Sequence, residues 1–149
     1  MTIEKKTSSK INCREYSKTD LKYVQTLMAE LGYSVTEDDL SENILYVQQR
    51  EGVIFVAELN NKLIGCICSM IDARLAEGVY DEIVSLIVSE KFQGLGVGTR
   101  LVRISEEWLC QRVSKIRVRA NVIRTNAHSF YRRFGYKEVK NQKVFIKIL

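Results

Sequence analysis

Apolar positions recur along this chain with two periods, and the switches between them mark its elements. Residues 11–16 read as a short strand. After Ser17 and Thr19, either of which suits a helix N-cap, Leu21, Val24, Leu27, Met28 and Leu31 share one helical face, and Gly32 ends the helix. Thr36 opens a second helix with Glu37, Asp38 and Asp39 in its first turn, where the backbone dipole favours acids. Its apolar side is Leu40, Ile44, Leu45 and Val47, and Gly52 stops it. Residues 53–59 and 62–72 read as two strands joined by the tight turn Asn60-Asn61.

Residues 80–88 form the next strand, and the run from Ile83 to Val88 is apolar enough to be covered on both faces. A glycine-rich turn leads into a helix over 98–112, with Leu101, Ile104, Trp108 and Leu109 inward, followed by a strand over 116–122. A short helix starts at Thr125 or Asn126 and runs to Phe134. Gly135 ends it, and residues 136–139 and 144–149 read as closing strands. The order β-α-α-β-β-β-α-β-α-β-β predicts an α/β (mixed α+β) fold. A central, mixed, mostly antiparallel sheet is flanked by helices and carries one parallel β-α-β crossover.

Composition narrows the reading. At 149 residues, with no repeats and no Pro- or Ser-rich linker, residues 11–149 are expected to form a single domain. Residues 1–10 are polar and lysine-rich and are expected to be a disordered tail. Hydrophobic residues at 46% and charged residues at 28% suit a folded core rather than disorder. No apolar run approaches the roughly 18 residues that span a bilayer, and the N-terminus lacks a secretory pattern, so the expected location is cytoplasmic. The net charge of +5 fits a phosphate-bearing ligand as well as nucleic acid. Cys13, Cys66, Cys68 and Cys110 match no zinc spacing, and no metal is expected. The Cys66-x-Cys68 pair is expected to be buried on one strand face. One histidine, His128, and no Gly-x-Ser-x-Gly argue against a serine hydrolase.

The chemistry concentrates in Gln93-Gly94-Leu95-Gly96-Val97-Gly98-Thr99, between a strand and a helix. Glycines let the backbone turn sharply and approach a ligand, and the first N–H groups of a helix lack internal partners, so together they form an anion site. Arg100 and Arg103 add positive charge. A P-loop would need Gly-Lys-Ser/Thr where Gly98-Thr99-Arg100 stands. A dinucleotide fingerprint would place its third glycine one position later and an acid about 20 residues on, where this chain has Lys115, Arg117 and Arg119.

The segment from Val88 to Gly98 resembles the acetyl-CoA signature of the GNAT acetyltransferases, Gln/Arg-x-x-Gly-x-Gly/Ala, matched at Gln93, Gly96 and Gly98. Glu90 or its neighbour stands where the family often has proline. Downstream, Ala127-His128-Ser129-Phe130-Tyr131 followed by Gly135-Tyr136 resembles the family's Ala-x-x-Phe/Leu-Tyr-x-x-x-Gly-Phe/Tyr segment. The resemblance implies a GNAT-like fold and transfer of an acetyl group from acetyl-CoA to a primary amine. It implies that Gly94, Gly96, Gly98 and Thr99, with Gln93 and Val97, hold the pyrophosphate. It also implies that Leu86, Ile87 and Val88 pair with the pantetheine arm through their backbone, at a bulge that the sequence does not reveal.

Tyr131 is the implied general acid, or else a tyrosine packed on Phe134. Glu82 is the implied base, or else a solvated charge beside Asp81. Asn126 is a helix cap or a CoA contact, and His128 reads as a surface or capping residue. The implied partners are acetyl-CoA and an amine acceptor, with a homodimer open and no membrane. A CoA-binding sensor on the same fold is the alternative function, and a basic nucleic-acid module is the third reading. The acceptor would be chosen by residues 20–52 and 72–80, where Glu30, Glu37, Asp38, Asp39 and Glu42 form either an acidic wall for a cationic amine or a solvated face.

Overall fold

The computed structural model describes residues 10–149, so all of the expected tail except Lys10 lies outside the described residues. The chain divides after Val118 into two compact units.

The larger unit is a five-stranded sheet in the order β1-β2-β3-β4-β5. The strands are β1 (Asn12–Glu15), β2 (Val53–Leu59), β3 (Lys62–Arg74), β4 (Gly78–Val88) and β5 (Ile116–Val118). β1 to β4 pair antiparallel, and β5 joins β4 in parallel over three residue pairs. Between β2 and β3, Asn60 and Asn61 have φ of 51° and 62°. Two consecutive left-handed residues give the backbone twist of a two-residue hairpin turn, and asparagine tolerates that conformation.

Three helices belong to this unit: α1 (Leu21–Glu30), α2 (Glu37–Gln49) and α3 (Val97–Leu109). A 3-10 turn, Lys18–Asp20, leads into α1, and the Asp20 carboxylate accepts the Ser17 N–H at 2.8 Å. Thr36 caps α2 by accepting the Asp39 N–H at 3.1 Å. The apolar faces of α1 and α2, Val24, Leu27, Leu40 and Ile44, pack with Ile54, Val56, Cys66 and Ile87 of the sheet. Cys68 packs against the same cluster, so the Cys-x-Cys pair does share one face. Burial pushes the Cys66 and Cys68 thiols up to about 12, where they stay protonated and act as small apolar fillers. Cys110, in contrast, is exposed.

α3 covers the other face with Val97, Leu101, Val102 and Leu109, all buried. Its close approach depends on Gly65, where a Cβ would stand 2.9 Å from both Leu101 Cδ1 and Val97 Cγ1. A buried hydrogen bond of 2.8 Å between the Ser69 and Ser105 hydroxyls stitches α3 to β3.

The smaller unit, Arg119–Leu149, contains α4 (Thr125–Arg133), ended by Gly135 at φ +90°. The closing strands expected at 136–139 and 144–149 are not formed, and the strand expected over 116–122 stops at Val118. Val139, Val144, Phe145, Ile146, Ile148 and Leu149 are exposed instead. β-Propensity describes how a residue suits a pleated, half-buried surface; without a neighbouring ladder and a covered face, a short run of β-formers does not by itself make a strand.

Candidate active site

The two edges of β4 are used differently along its length. Near its start, Asp81 N–H donates to the Lys115 carbonyl beside β5 at 3.0 Å, so odd-numbered residues there turn their backbone toward β5. Past its end, Ser89 N–H donates to Ile64 O at 2.8 Å, so odd-numbered residues now turn toward β3. The parity flips at a bulge. Ile83 pairs with Ser69 and Ser85 with Cys68, which leaves Val84 as the extra residue. Val84 is 47% exposed, although residues 80–83 before it and 85–88 after it are buried or half-buried.

The bulge follows directly on the last parallel pair, Ile83 with Val118. Among the described residues, β4 has no strand partner on that side beyond it. By the flipped parity, Leu86 N–H and C=O and Val88 N–H lie along this open edge. Ile87 turns its backbone to β3, where it pairs with Cys66, and buries its side chain. The Val88 carbonyl accepts the Gln93 side-chain amide at 3.1 Å, which braces the loop against the strand.

The loop then climbs into α3. Gly94 and Gly96 have φ of +80° and +83°, and a Cβ on either would meet nothing within 4 Å. Both glycines are therefore there for backbone conformation, and both face open space. Gly96 is the N-cap of α3 and has no side chain with which to close the helix end. The first helical bond is Arg100 N–H to Gly96 O at 3.1 Å, so the N–H groups of Val97, Gly98 and Thr99 precede any intrahelical partner. Val97 is a core side chain and contributes only its backbone. The first turn of α3 carries no acid, and the aligned peptide dipoles put partial positive charge there.

On the α1/α2 face of the same fork stands Glu82, 9% exposed and paired in the antiparallel register with Met70. Arg117 Nε donates to its Oε1 at 3.3 Å. Of the two alternatives read from sequence, a solvated charge does not describe this carboxylate. Its neighbour Asp81 faces α3, is 0% exposed, and among the described residues has no hydrogen-bond partner on either carboxylate oxygen. Burial pushes the Asp81 carboxyl up, and the positive charge of Arg112 opposes that only in part.

In the smaller unit, Tyr131 lies on α4 with ring centroids 5.2 Å from Phe130 and 5.6 Å from Tyr136, both edge-on. Burial raises its phenol above the ordinary tyrosine value, partly offset by Arg124, so it is protonated at neutral pH. Asn126 lies in the first turn of α4, exposed and not at the cap position, which Arg124 occupies. His128 Nε2 makes a hydrogen bond of 2.9 Å with the Asn121 carbonyl. Two features were not legible in the sequence. Val84 sits in a nearly all-apolar run, interrupted only by Ser85, and gives no signal of a bulge. Arg117 registered only as part of a basic strand; its signal was the alternation Lys115, Arg117, Arg119.

Among the described residues no group of three or more His, Cys, Asp or Glu could hold a metal ion, and no helix is long and apolar enough to cross a membrane.

A mixed sheet forked beside a glycine-started helix is an architecture shared with known proteins. Residues 20–136 match the acetyltransferase (GNAT) family model. The chain is 31% identical over 115 residues to an uncharacterized N-acetyltransferase of Chlorobaculum tepidum, covering 72% of this chain and 68% of that one. Its fold is similar to AAC(6')-Iy in complex with the bisubstrate analogue CoA-S-monomethyl-acetylneamine, with a TM-score of 0.82 and 16% identity over 93% of this chain and 99% of that one. It is also similar to glucosamine-6-phosphate N-acetyltransferase from Arabidopsis thaliana, with a TM-score of 0.77 and 18% identity over 91% and 97% of the two chains. The chain belongs to the GNAT acetyltransferase family.

Proposed function

We propose that this protein transfers the acetyl group of acetyl-CoA directly to a primary amine. The observation that carries the reading is the open edge of β4, which runs from the fork at Ile83 into the N-terminus of α3. An extended arm ending in a pyrophosphate matches that edge in both parts. Amides of the pantetheine arm pair with the backbone of Leu86 and Val88, as an added strand would. Ile87 holds the edge in place through β3. The pyrophosphate takes the N–H groups of Gly94, Gly96, Val97, Gly98 and Thr99, with Gln93 bracing the turn. Asn126 is assigned a CoA contact.

In the reaction, the amine gives up a proton to Glu82, directly or through water, and attacks the thioester carbon. The carbonyl oxygen gains negative charge and is stabilised by the backbone N–H of Leu86. Collapse breaks the C–S bond, and Tyr131 protonates the leaving thiolate. The products are the N-acetylated amine and CoA. Much of the rate comes from holding amine and thioester together at the fork.

The test is a panel of amines that includes polyamines, aminoglycosides, amino sugars and lysine peptides, with release of free CoA thiol as the readout. Amine-dependent release from acetyl-CoA is the expected result. Acetyl-CoA binding without release for any amine would instead leave a CoA sensor on the same fold.

A further inference from the structure

A single guanidinium ties together the fork and the β3–β4 hairpin. Arg117 stands opposite Glu82 in the parallel register, one position before the final pair, Ile83 with Val118. Its Nε donates to Glu82 Oε1 at 3.3 Å and its Nη1 to Glu77 Oε2 at 3.4 Å, while its Nη2 bonds Asp72 Oδ2. The three acceptors come from β4, the hairpin turn and β3. The Tyr80 ring lies 5.1 Å from the guanidinium carbon and 5.4 Å from Lys115 Nζ. Arg74 joins through Asp72, with Nε to Oδ2 at 2.9 Å. Arg117 thus gathers Asp72, Glu77, Tyr80 and Glu82 around it, with Arg74 joined through Asp72 and Lys115 through Tyr80.

The arrangement needs an arginine. A planar fork of donors can serve three carboxylates at once in fixed directions; an ammonium is a point charge on a flexible stem. Burial works against the Arg117 charge, but the Asp72 hydrogen bond and the Glu82 charge outweigh it, so the guanidinium stays charged at every working pH. The Arg117 and Glu82 side chains are only 15% and 12% exposed, so that pair is less screened than a surface pair, whereas Glu77 is an exposed partner. The clamp also sits where the strand geometry changes. Two residues beyond Glu82 the bulge begins, and β5 ends one residue beyond Arg117.

We infer that Arg117 is a positioning residue for acetyl transfer: it orients the Glu82 carboxylate at the fork and locks the acceptor-side hairpin, residues 72–77, to β5. The inference rests on the reading of Glu82 as the base. Loss of the fork geometry frees the Glu82 carboxylate to rotate, even where a positive charge is kept at position 117.

The experiment compares Arg117→Gln, Arg117→Lys, Glu82→Gln and the Arg117→Gln/Glu82→Gln double variant. Each is measured for kcat, for KM with acetyl-CoA and with a good acceptor amine, and for the rise in Tm on adding acetyl-CoA. Arg117→Gln should lower kcat about tenfold or more with the KM for acetyl-CoA little changed. Arg117→Lys keeps the positive charge but not the planar fork and should also lower kcat. The acetyl-CoA shift should persist in both, because neither touches the glycine loop. The double variant should be no slower than Glu82→Gln alone, as expected for residues acting as a unit.

Wild-type kcat in Arg117→Gln would overturn the inference. So would losses that multiply in the double variant, because Arg117 would then act independently of Glu82. Should Arg117→Gln fail to fold, Arg117→Lys decides: a wild-type kcat there removes any orienting role. Full activity in Glu82→Gln removes the base and the positioning role together, while acetyl transfer from acetyl-CoA stands on its own assay.

Discussion

Replacing Gly96 with valine tests the proposed cofactor site most directly. Gly96 has φ +83° and ψ 11°, and a Cβ there would meet nothing within 4 Å. The substitution therefore creates no clash, and its cost is backbone strain. Left-handed backbone costs an L-residue about 1–2 kcal/mol, and a β-branched side chain stands at the upper end. For a chain of this size that lowers Tm by about 2–8 °C. The ligand effect is larger. At acetyl-CoA about 100-fold above Kd, mass action adds about 2.7 kcal/mol, a rise of about 5–11 °C on the same scale.

If Gly96 relaxes to a right-handed conformation, the N–H groups of Val97, Gly98 and Thr99 no longer converge, and that rise should disappear. Gly32→Val is the matched control: φ is +87°, nothing lies within 4 Å, and the residue follows α1, outside the loop. The assay is thermal melting of wild type and both variants with and without acetyl-CoA, repeated with ATP and NAD. Gly32→Val should lose stability but keep the acetyl-CoA shift. A Gly96→Val protein that retains the wild-type shift would refute the phosphate assignment, and equal shifts from all three nucleotides would reduce the loop to a general anion site.

Tyr131→Phe should lower kcat by about 10²–10⁴ with the acetyl-CoA melting shift intact, since a general acid acts chiefly in the transition state; full turnover in the variant removes it from the mechanism. Asp81 should make the protein less stable as pH rises. Its folded pKa lies above the unfolded value near 4, so its contribution is intact at low pH and declines as pH climbs from there through the folded pKa. Asp81→Leu should therefore gain about 1–3 kcal/mol relative to wild type at pH 8 and less at pH 4, and an equal difference at both pH values in denaturant melts would contradict this. Ser105→Ala strands the buried Ser69 hydroxyl and should cost about 1–3 kcal/mol, whereas the Ser69→Ala/Ser105→Ala double variant should recover part of it; a fully additive loss would mean the hydroxyl pair contributes nothing.

Much of this protein can be read from its residues because the signals are local. Thr36 with Glu37, Asp38 and Asp39 is a helix start on chemistry alone, and Asn60-Asn61 is a turn because few other pairs tolerate two left-handed residues. The glycines of 94–98 announce a sharp left-handed turn into a helix N-terminus, since such a run otherwise only weakens the chain. Order along the chain, strand then glycines then helix then strand, was enough to propose the parallel crossover. What tertiary structure decided depends on pairing between distant segments. Val84 becomes a bulge only against the register of β3, and that flip of parity turns Leu86 and Val88 outward while Ile87 faces inward. Arg117 becomes a clamp only because Asp72, Glu77 and Glu82 come together from three segments. Asp81 and Glu82 are adjacent carboxylates of the same type, yet the pleat sends one under α3 without a partner and the other to an arginine at the fork. The apolar run at 144–149 looked like a strand, and it formed none, because a strand is a relation to a neighbour and not a property of six residues.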